Sequence, residues 1–264
     1  MVSASLVVVG SGIKFVSHLT TEAIIYIEKS EKVLYLVNEP AMKEWIENKN
    51  KNSVSLDIIY TQHELRIDSY HAITGSILDE VRKNQHVCVV LYGHPAVFAK
   101  PGIDAVIQAK KEGYPAKMLP GISAEDCLYA DLLINVGTCG HQSFEATELL
   151  IHRRQCDPCA HLFLWQVGFI GALNHPRAHD NSKGIRLLVD YLNQYYNLEH
   201  IVTLYEAAQY PGFEPRITQL SLRELPEAKT SAITTLYVPP ARKMECDKEM
   251  LEALTIQPLL SVTS

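Results

Sequence analysis

The chain has 264 residues, 47% of them hydrophobic and 20% charged, with a formal net charge of −6. That length supports a well-buried core in one large or two modest domains. The acidic balance, with no long basic run, argues against tight binding to bulk nucleic acid, and no apolar run approaches a membrane span. The opening "MVSASLVVVGSG" has no basic segment ahead of its apolar run. No signal peptide is therefore expected, and the expected compartment is the cytoplasm.

Apolar, β-branched runs then alternate with helical patterns. "SLVVVG" (5–10) reads as a strand, "TEAIIYIEKS" (21–30) as a helix and "KVLYLV" (32–37) as a strand. "SLDIIY" (55–60) reads as a third strand, followed by a helix to about residue 84. "HVCVVL" (86–91) is a fourth strand, "PGIDAVIQAKKEG" a helix closed by Gly113, and "PAKMLPG" a short strand. This alternation predicts a parallel sheet covered on both faces. Beyond "PGISAEDCLYADLL" the pattern changes. "HLFLWQV" (161–167), "HIVTLYEA" (200–207), "RITQLSL" (216–222) and "AITTLYVPP" (232–240) are strand-like, and 184–196 is helical. Little helix separates the later strands, which predicts a mixed sheet. The expected division is an α/β N-terminal domain over 1–121, an α/β C-terminal domain over 122–246 and a short tail over 247–264.

Six cysteines are scattered through the chain. Cys88 and Cys127 lie in apolar surroundings and read as reduced core residues. Cys156-x2-Cys159 and His175-x3-His179 fit a loose zinc template. The strand-like segment between the pairs, with Pro158 and Pro176 inside them, argues against it, and no bound metal is expected.

Three loops follow strand ends. Gly10 and Gly12 follow the first strand, but Phe15 stands where a dinucleotide fingerprint needs its third glycine. "YGHPAVF" (92–98) follows the fourth strand and "PGISA" (120–124) the fifth. Ligands of open α/β sheets bind outside such ends. In this order and spacing the loops resemble the tetrapyrrole methylase superfamily, whose members bind S-adenosylmethionine between two α/β domains. His94 stands where that family commonly has aspartate, and "GSGIKF" lacks the glycine–proline run of its tetrapyrrole-modifying members.

The segment "YTQHELRIDSYHAITGSILDEV" (60–81) sharpens the resemblance. Thr61-x-x-Glu64 has capping-box spacing and predicts a helix start near Gln62. Tyr70, Ile73, Ile77 and Val81 fall on one helical face, and Arg66 falls in the same stripe. An arginine there opposes the helix dipole. Together with Tyr92 and His94, the triplet Tyr60, Arg66, Tyr70 resembles the borosin peptide backbone α-N-methyltransferases, as do "GHQSFEA" (140–146), "FLWQ" (163–166), "LYEA" (204–207) and "TTLYVPP" (234–240). The short tail resembles the split members, which act on a separate precursor peptide.

That resemblance implies a methyltransferase using S-adenosylmethionine, with S-adenosylhomocysteine as product, a homodimer, a peptide partner in trans, and neither nucleic acid nor membrane as partner. It implies Tyr60, Arg66, Tyr70 and Tyr92 as catalytic residues. Cofactor contacts are implied for Gly10, Gly12, Tyr92, Gly93, His94, Pro95, Val97, Phe98, Ser123, Ala124, Gln166, Tyr205, Ala207, Thr234 and Thr235. Which tyrosine is base and which is donor stays open, with Tyr70 the expected base and Arg66 expected to lower its pKa. The alternatives are a tetrapyrrole or RNA ribose methyltransferase of the same superfamily, and a catalytically silent scaffold that binds cofactor or peptide.

Overall fold

The structure, a computed structural model, describes residues 4–172 and 181–256. The first half builds β1 (Ser5–Gly10), α1 (Thr21–Lys29), β2 (Lys32–Leu36), α2 (Pro40–Lys49), β3 (Ser53–Ser55), α3 (Asp57–Gln62), α4 (Arg66–Arg82), β4 (His86–Leu91), α5 (Lys100–Lys111) and β5 (Ala116–Met118). The strands form one parallel sheet in the order β3-β2-β4-β1-β5. Side chains alternate between faces, as strand geometry requires. Val7, Val9, Val33, Tyr35, Cys88 and Val90 pack with α1 and α2 on one face. Leu6, Val8, Leu34, Val87, Val89 and Leu91 pack with α4 and α5 on the other. These two-sided apolar runs are why the parallel sheet is legible as continuous hydrophobic sequence.

The second half contains α6 (Ala124–Leu132), α7 (Val136–Cys139), β6 (His141–Glu145), α8 (Ala146–Ile151), β7 (His161–Trp165), α9 (Ser182–Leu192), β8 (Ile201–Glu206), β9 (Arg216–Ser221), β10 (Thr235–Val238) and α10 (Lys248–Ala253). Its sheet runs β6-β7-β10-β8-β9, parallel between β6 and β7 and antiparallel elsewhere. Leu162, Leu164, Val202, Leu204, Leu236 and Val238 bury against α8 and α9. The opposite face, with Phe163, Trp165, Tyr205 and Ala207, packs on Cys127 and Leu128 of α6 and on Ile13 of the first half. The α/β class and the mixed second sheet agree with expectation.

The region 55–62 departs from it. The expected strand is confined to Ser53–Ser55, and the apolar run continues as α3. The Ser55 hydroxyl accepts the Asp57 N–H at 3.1 Å, and Lys43 pairs with the Asp57 carboxylate, so an acid is fixed in the first helical turn. Thr61 makes no cap. Its hydroxyl donates back to the carbonyls of Asp57 (3.0 Å) and Ile58 (3.3 Å) within α3. The long helix starts at Arg66 instead, with no side-chain cap. Its stripe behaves as read: Ile73, Ile77 and Val81 are buried while Tyr70 is half-buried. Cys88 and Cys127 are free and buried. The Cys156 thiol lies 3.9 Å from the Arg154 carbonyl and that of Cys159 3.9 Å from the Lys243 carbonyl. His175 and His179 lie outside the described residues.

Candidate active site

β1 and β4 are neighbours, yet the chain leaves them in opposite directions, β1 toward β2 and β4 toward β5. That divergence opens a crevice at their carboxyl ends, where ligands of open α/β sheets bind. Two loops close on each other across it. Gly12 and Gly93 exchange backbone hydrogen bonds, the Gly12 N–H to the Gly93 carbonyl at 3.2 Å and the reverse at 3.1 Å. Both adopt positive φ, 69° and 68°, which favours glycine. Gly10 is required by contact rather than by φ: a Cβ there would lie 2.2 Å from the Gly93 carbonyl oxygen and 2.9 Å from Pro95. His18 braces the first loop from behind, its Nδ1 accepting the N–H groups of Ile13 (3.3 Å) and Lys14 (3.1 Å). Burial pushes the His18 pKa down, which favours the neutral ring these bonds need.

A cavity of about 350 Å³ opens in front of this cradle and reaches across to the second sheet. Tyr60, Tyr70, Tyr92, Gly93, His94, Val97 and Phe98 line it from the first half. Ser123, Ala124, Gln166, Ala207, Thr234 and Thr235 line it from the second. Its carboxylates are Asp57 and Glu125, and no lysine or arginine is among the described residues lining it. Glu125 accepts the Tyr129 hydroxyl and lies 3.4 Å from His141 Nε2. Thr234 is fixed by donating to Glu206, which also accepts from Ser231 (2.7 Å) and Arg216 (3.1 Å). Two lining residues hold strained backbone, Phe98 at φ 53° and Gln166 at φ 58°, and strain of this kind concentrates at ligand sites.

On the α3–α4 side, the rings of Tyr60 and Tyr70 stack with centroids 6.4 Å apart. Arg66 acts on the Tyr70 hydroxyl in favour of its ionised form. Its Nε is buried with no hydrogen-bond partner, which is costly unless a ligand acceptor completes the site. The Tyr70 pKa lies above the ordinary phenol value, because burial, reinforced by Tyr60, outweighs the opposing Arg66. This reverses the expected net direction. The Arg66 effect is present, but desolvation of the phenolate is larger.

The two halves are tied beside Tyr92. Its hydroxyl donates to Gln209 Oε1 at 2.8 Å, the Phe15 N–H donates to the Gln209 carbonyl at 2.8 Å, and Tyr210 donates to Glu39. Burial raises the Tyr92 pKa against the lowering effect of the Gln209 bond.

Gly10, Gly12 and Pro95 form the floor behind the lining rather than the lining itself, and Arg66 is not among the lining residues. Tyr205 is 1% exposed and does not line the cavity. Its hydroxyl donates to Asp131 at 2.7 Å. Sequence reasoning missed Gln209, Trp165, Glu125, Asn38 and Asp57, all of which line the cavity. Trp165 and Gln209 sit within or beside segments that carry the resemblance, but nothing local marks them as cavity residues.

The family model for tetrapyrrole (corrin/porphyrin) methylases matches residues 5–226. This chain belongs to the tetrapyrrole methylase family. Solved tetrapyrrole methylase-like structures share its fold. A uroporphyrin-III C-methyltransferase from Thermus thermophilus superposes with a TM-score of 0.64 at 19% identity, covering 90% of this chain and 92% of its own. A diphthine synthase superposes with a TM-score of 0.63 at 14% identity, covering 91% of each. Among curated proteins, this tetrapyrrole methylase chain is 38% identical to a methyltransferase/ribosomally synthesized cyclic peptide lentinulin A precursor from Lentinula edodes, over 97% of this chain and 62% of that protein. It is 40% identical to the corresponding omphalotin A precursor from Omphalotus olearius, again over 97% and 62%. It is 38% identical to a methyltransferase/type I borosin cyclic peptide precursor from Coprinopsis marcescibilis, over 96% and 67%. The chain thus spans about three-fifths of the length of the first two.

Proposed function

We propose that this chain is an S-adenosylmethionine-dependent methyltransferase that α-N-methylates backbone amides of a ribosomally made precursor peptide. The observation that carries the reading is the stacked Tyr60–Tyr70 pair, facing a cavity floored by a glycine cradle, with Arg66 acting on Tyr70 and holding a buried, unpartnered Nε. The similarity to proteins whose names join methyltransferase and cyclic peptide precursor supports the same reading.

The lining fits the cofactor. Gly93 lines the crevice, small side chains at Ala124 and Ala207 leave room for a nucleoside, and the buried Thr235 adds a polar side chain. An aromatic face at Tyr92, and the absence of lysine or arginine among the described lining residues, suit a sulfonium cation. The same lining suits a porphyrinoid poorly, since its several carboxylates would meet the like-charged Asp57 and Glu125.

When bound, the cofactor supplies an electrophilic methyl group. The chain's own residues must make a poor nucleophile react. An amide nitrogen shares its lone pair with the carbonyl, so attack requires loss of the N–H proton and stabilisation of charge on the carbonyl oxygen. Arg66 and the Tyr60 hydroxyl are the donors for that oxygen. Tyr70 is the base, and burial keeps it a neutral phenol near neutral pH, so it acts through a minor ionised fraction. The peptide must arrive extended, because an amide paired in a helix or sheet has its N–H occupied. We also propose that the enzyme works as a homodimer. Ile58, Leu65 and Ile67 leave an apolar surface exposed at the starts of α3 and α4, beside the site.

Incubation with S-adenosylmethionine and a candidate precursor peptide, followed by tandem mass spectrometry, tests the reading. Methyls on backbone nitrogens are expected. Methyls confined to side chains, or transferred to a tetrapyrrole and not to peptides, would overturn it.

A further inference from the structure

Tyr92 carries a cavity hydroxyl whose proton is already committed. Tyr92 sits at the end of β4 beside the glycine cradle, and its Oη lies 2.8 Å from Gln209 Oε1. Side-chain amides can be assigned either way round, so the network must decide which atom faces the tyrosine. Here it does. The other amide atom, Nε2, lies 3.1 Å from the Ala207 carbonyl oxygen. A carbonyl oxygen can only accept, so the atom beside it is the NH2 group. Oε1 is therefore the atom facing Tyr92, and it too can only accept. The phenol must be the donor.

A neutral phenol has one proton and two lone pairs. With the proton spent on Gln209, the oxygen can offer only acceptor capacity to the cavity. Gln209 is well placed to enforce this. Its backbone carbonyl receives the Phe15 N–H at 2.8 Å, and the next residue, Tyr210, donates to Glu39, so the segment is pinned to the first half from both sides. We infer that Gln209 is a positioning residue that turns Tyr92 into a hydrogen-bond acceptor aimed at the polarised C–H groups of the sulfonium methyl.

This inference rests on the reading that the cavity holds S-adenosylmethionine. It separates Tyr92 from Tyr60 and Arg66, which serve as donors on the opposite wall. The positive sulfur polarises the methyl C–H bonds, and a lone pair aimed at them makes a weak but directional contact. S-adenosylhomocysteine has neither the methyl nor the charge, so the contact exists only for the methyl donor. Without an acceptor at 209, the hydroxyl is free to rotate, its proton can turn into the cavity, and that preference is lost.

The test uses the full chain and needs no peptide. Calorimetry measures the affinities for S-adenosylmethionine and S-adenosylhomocysteine. Gln209→Leu should lower the ratio of the two, in favour of the demethylated product, by about two- to five-fold. Tyr92→Phe should lower it similarly, and the double variant no further, because both act through one hydroxyl. Gln209→Glu keeps an acceptor for the tyrosine proton and should hold the ratio at or above the parent value. Equal weakening of both ligands by Gln209→Leu would mark a purely structural role and overturn the inference. So would an unchanged ratio, or a Gln209→Leu effect that persists undiminished in the Tyr92→Phe background. If the parent protein binds neither ligand, the cofactor reading falls as well. If it binds both but the variants leave the ratio unchanged or weaken both ligands equally, that reading stands and this inference alone is lost.

Discussion

The two walls of the cavity are built on opposite principles. At the carboxyl ends of β1 and β4 the polar groups are satisfied by one another. Gly12 and Gly93 exchange backbone bonds, His18 accepts two loop N–H groups, and Gly10 packs too closely on Gly93 for any side chain. Along α3 and α4 the arrangement is incomplete: Arg66 Nε is buried without a partner, Tyr70 carries a desolvated hydroxyl, and Ile58 and Leu65 stand exposed nearby. A closed, preorganised wall suits a ligand that is the same in every turnover. An open wall with unspent hydrogen-bonding capacity suits one that completes the site only when it arrives, as a peptide backbone would.

The largest expected effects should divide the walls. Arg66→Ala and Tyr70→Phe should cut methyl transfer by about 10²–10³-fold or more. S-adenosylhomocysteine affinity by calorimetry should stay within about two-fold, since these side chains are assigned to the peptide. Loss of cofactor binding in both variants would erase the distinction between the walls.

Gly10→Ala attacks the closed wall. The added Cβ would meet the Gly93 carbonyl at 2.2 Å, so the loops must separate. Thermal and chemical denaturation should register a loss of about 1–3 kcal/mol, accompanied by weaker cofactor binding. A variant as stable as the parent, with unchanged affinity, would mean that the cradle is looser than its contacts indicate.

The pH profile addresses Tyr70. Burial moves its pKa upward, so the reactive phenolate is scarce at neutral pH. Single-turnover rates should then rise roughly tenfold per pH unit between about pH 7 and 9, with no plateau below the ordinary phenol value of about 10. The residual rate of Tyr70→Phe should not follow that slope. The stability sign runs the other way. A raised folded pKa contributes stability that is complete below the unfolded value and is lost as pH climbs through the folded one. A rate that levels off near neutral pH would show Arg66 prevailing over burial once peptide is bound.

The smallest effect concerns a residue that resemblance put at the cofactor. Tyr205 is buried and spends its hydroxyl on Asp131. Tyr205→Phe should cost about 1 kcal/mol of stability and leave cofactor affinity unchanged. A clear loss of affinity would return Tyr205 to the site.

These outcomes track what was legible in the sequence. The strands of the first sheet announce themselves because both faces are buried, and the loops at 10–12 and 92–98 are marked by glycines that close contact at Gly10 and Gly12 and positive φ at Gly93 call for. The run "LDIIY" is ambiguous between strand and helix by hydrophobicity alone, and the Ser55 and Lys43 contacts to Asp57 decide it. Residues such as Gln209 and Glu125 reach the cavity only because the two sheets face each other across it. Nothing in their neighbours along the chain records that distance, so no local pattern could have found them.

A peptide in which one backbone amide is replaced by an ester tests the central claim most directly. The ester keeps the side chain and the extended shape but has no nitrogen to methylate. Incubated with enzyme and S-adenosylmethionine and read by tandem mass spectrometry, such a peptide should gain no methyl at the ester position, while the matching all-amide peptide does. A methyl that still appears on that residue would contradict backbone N-methylation.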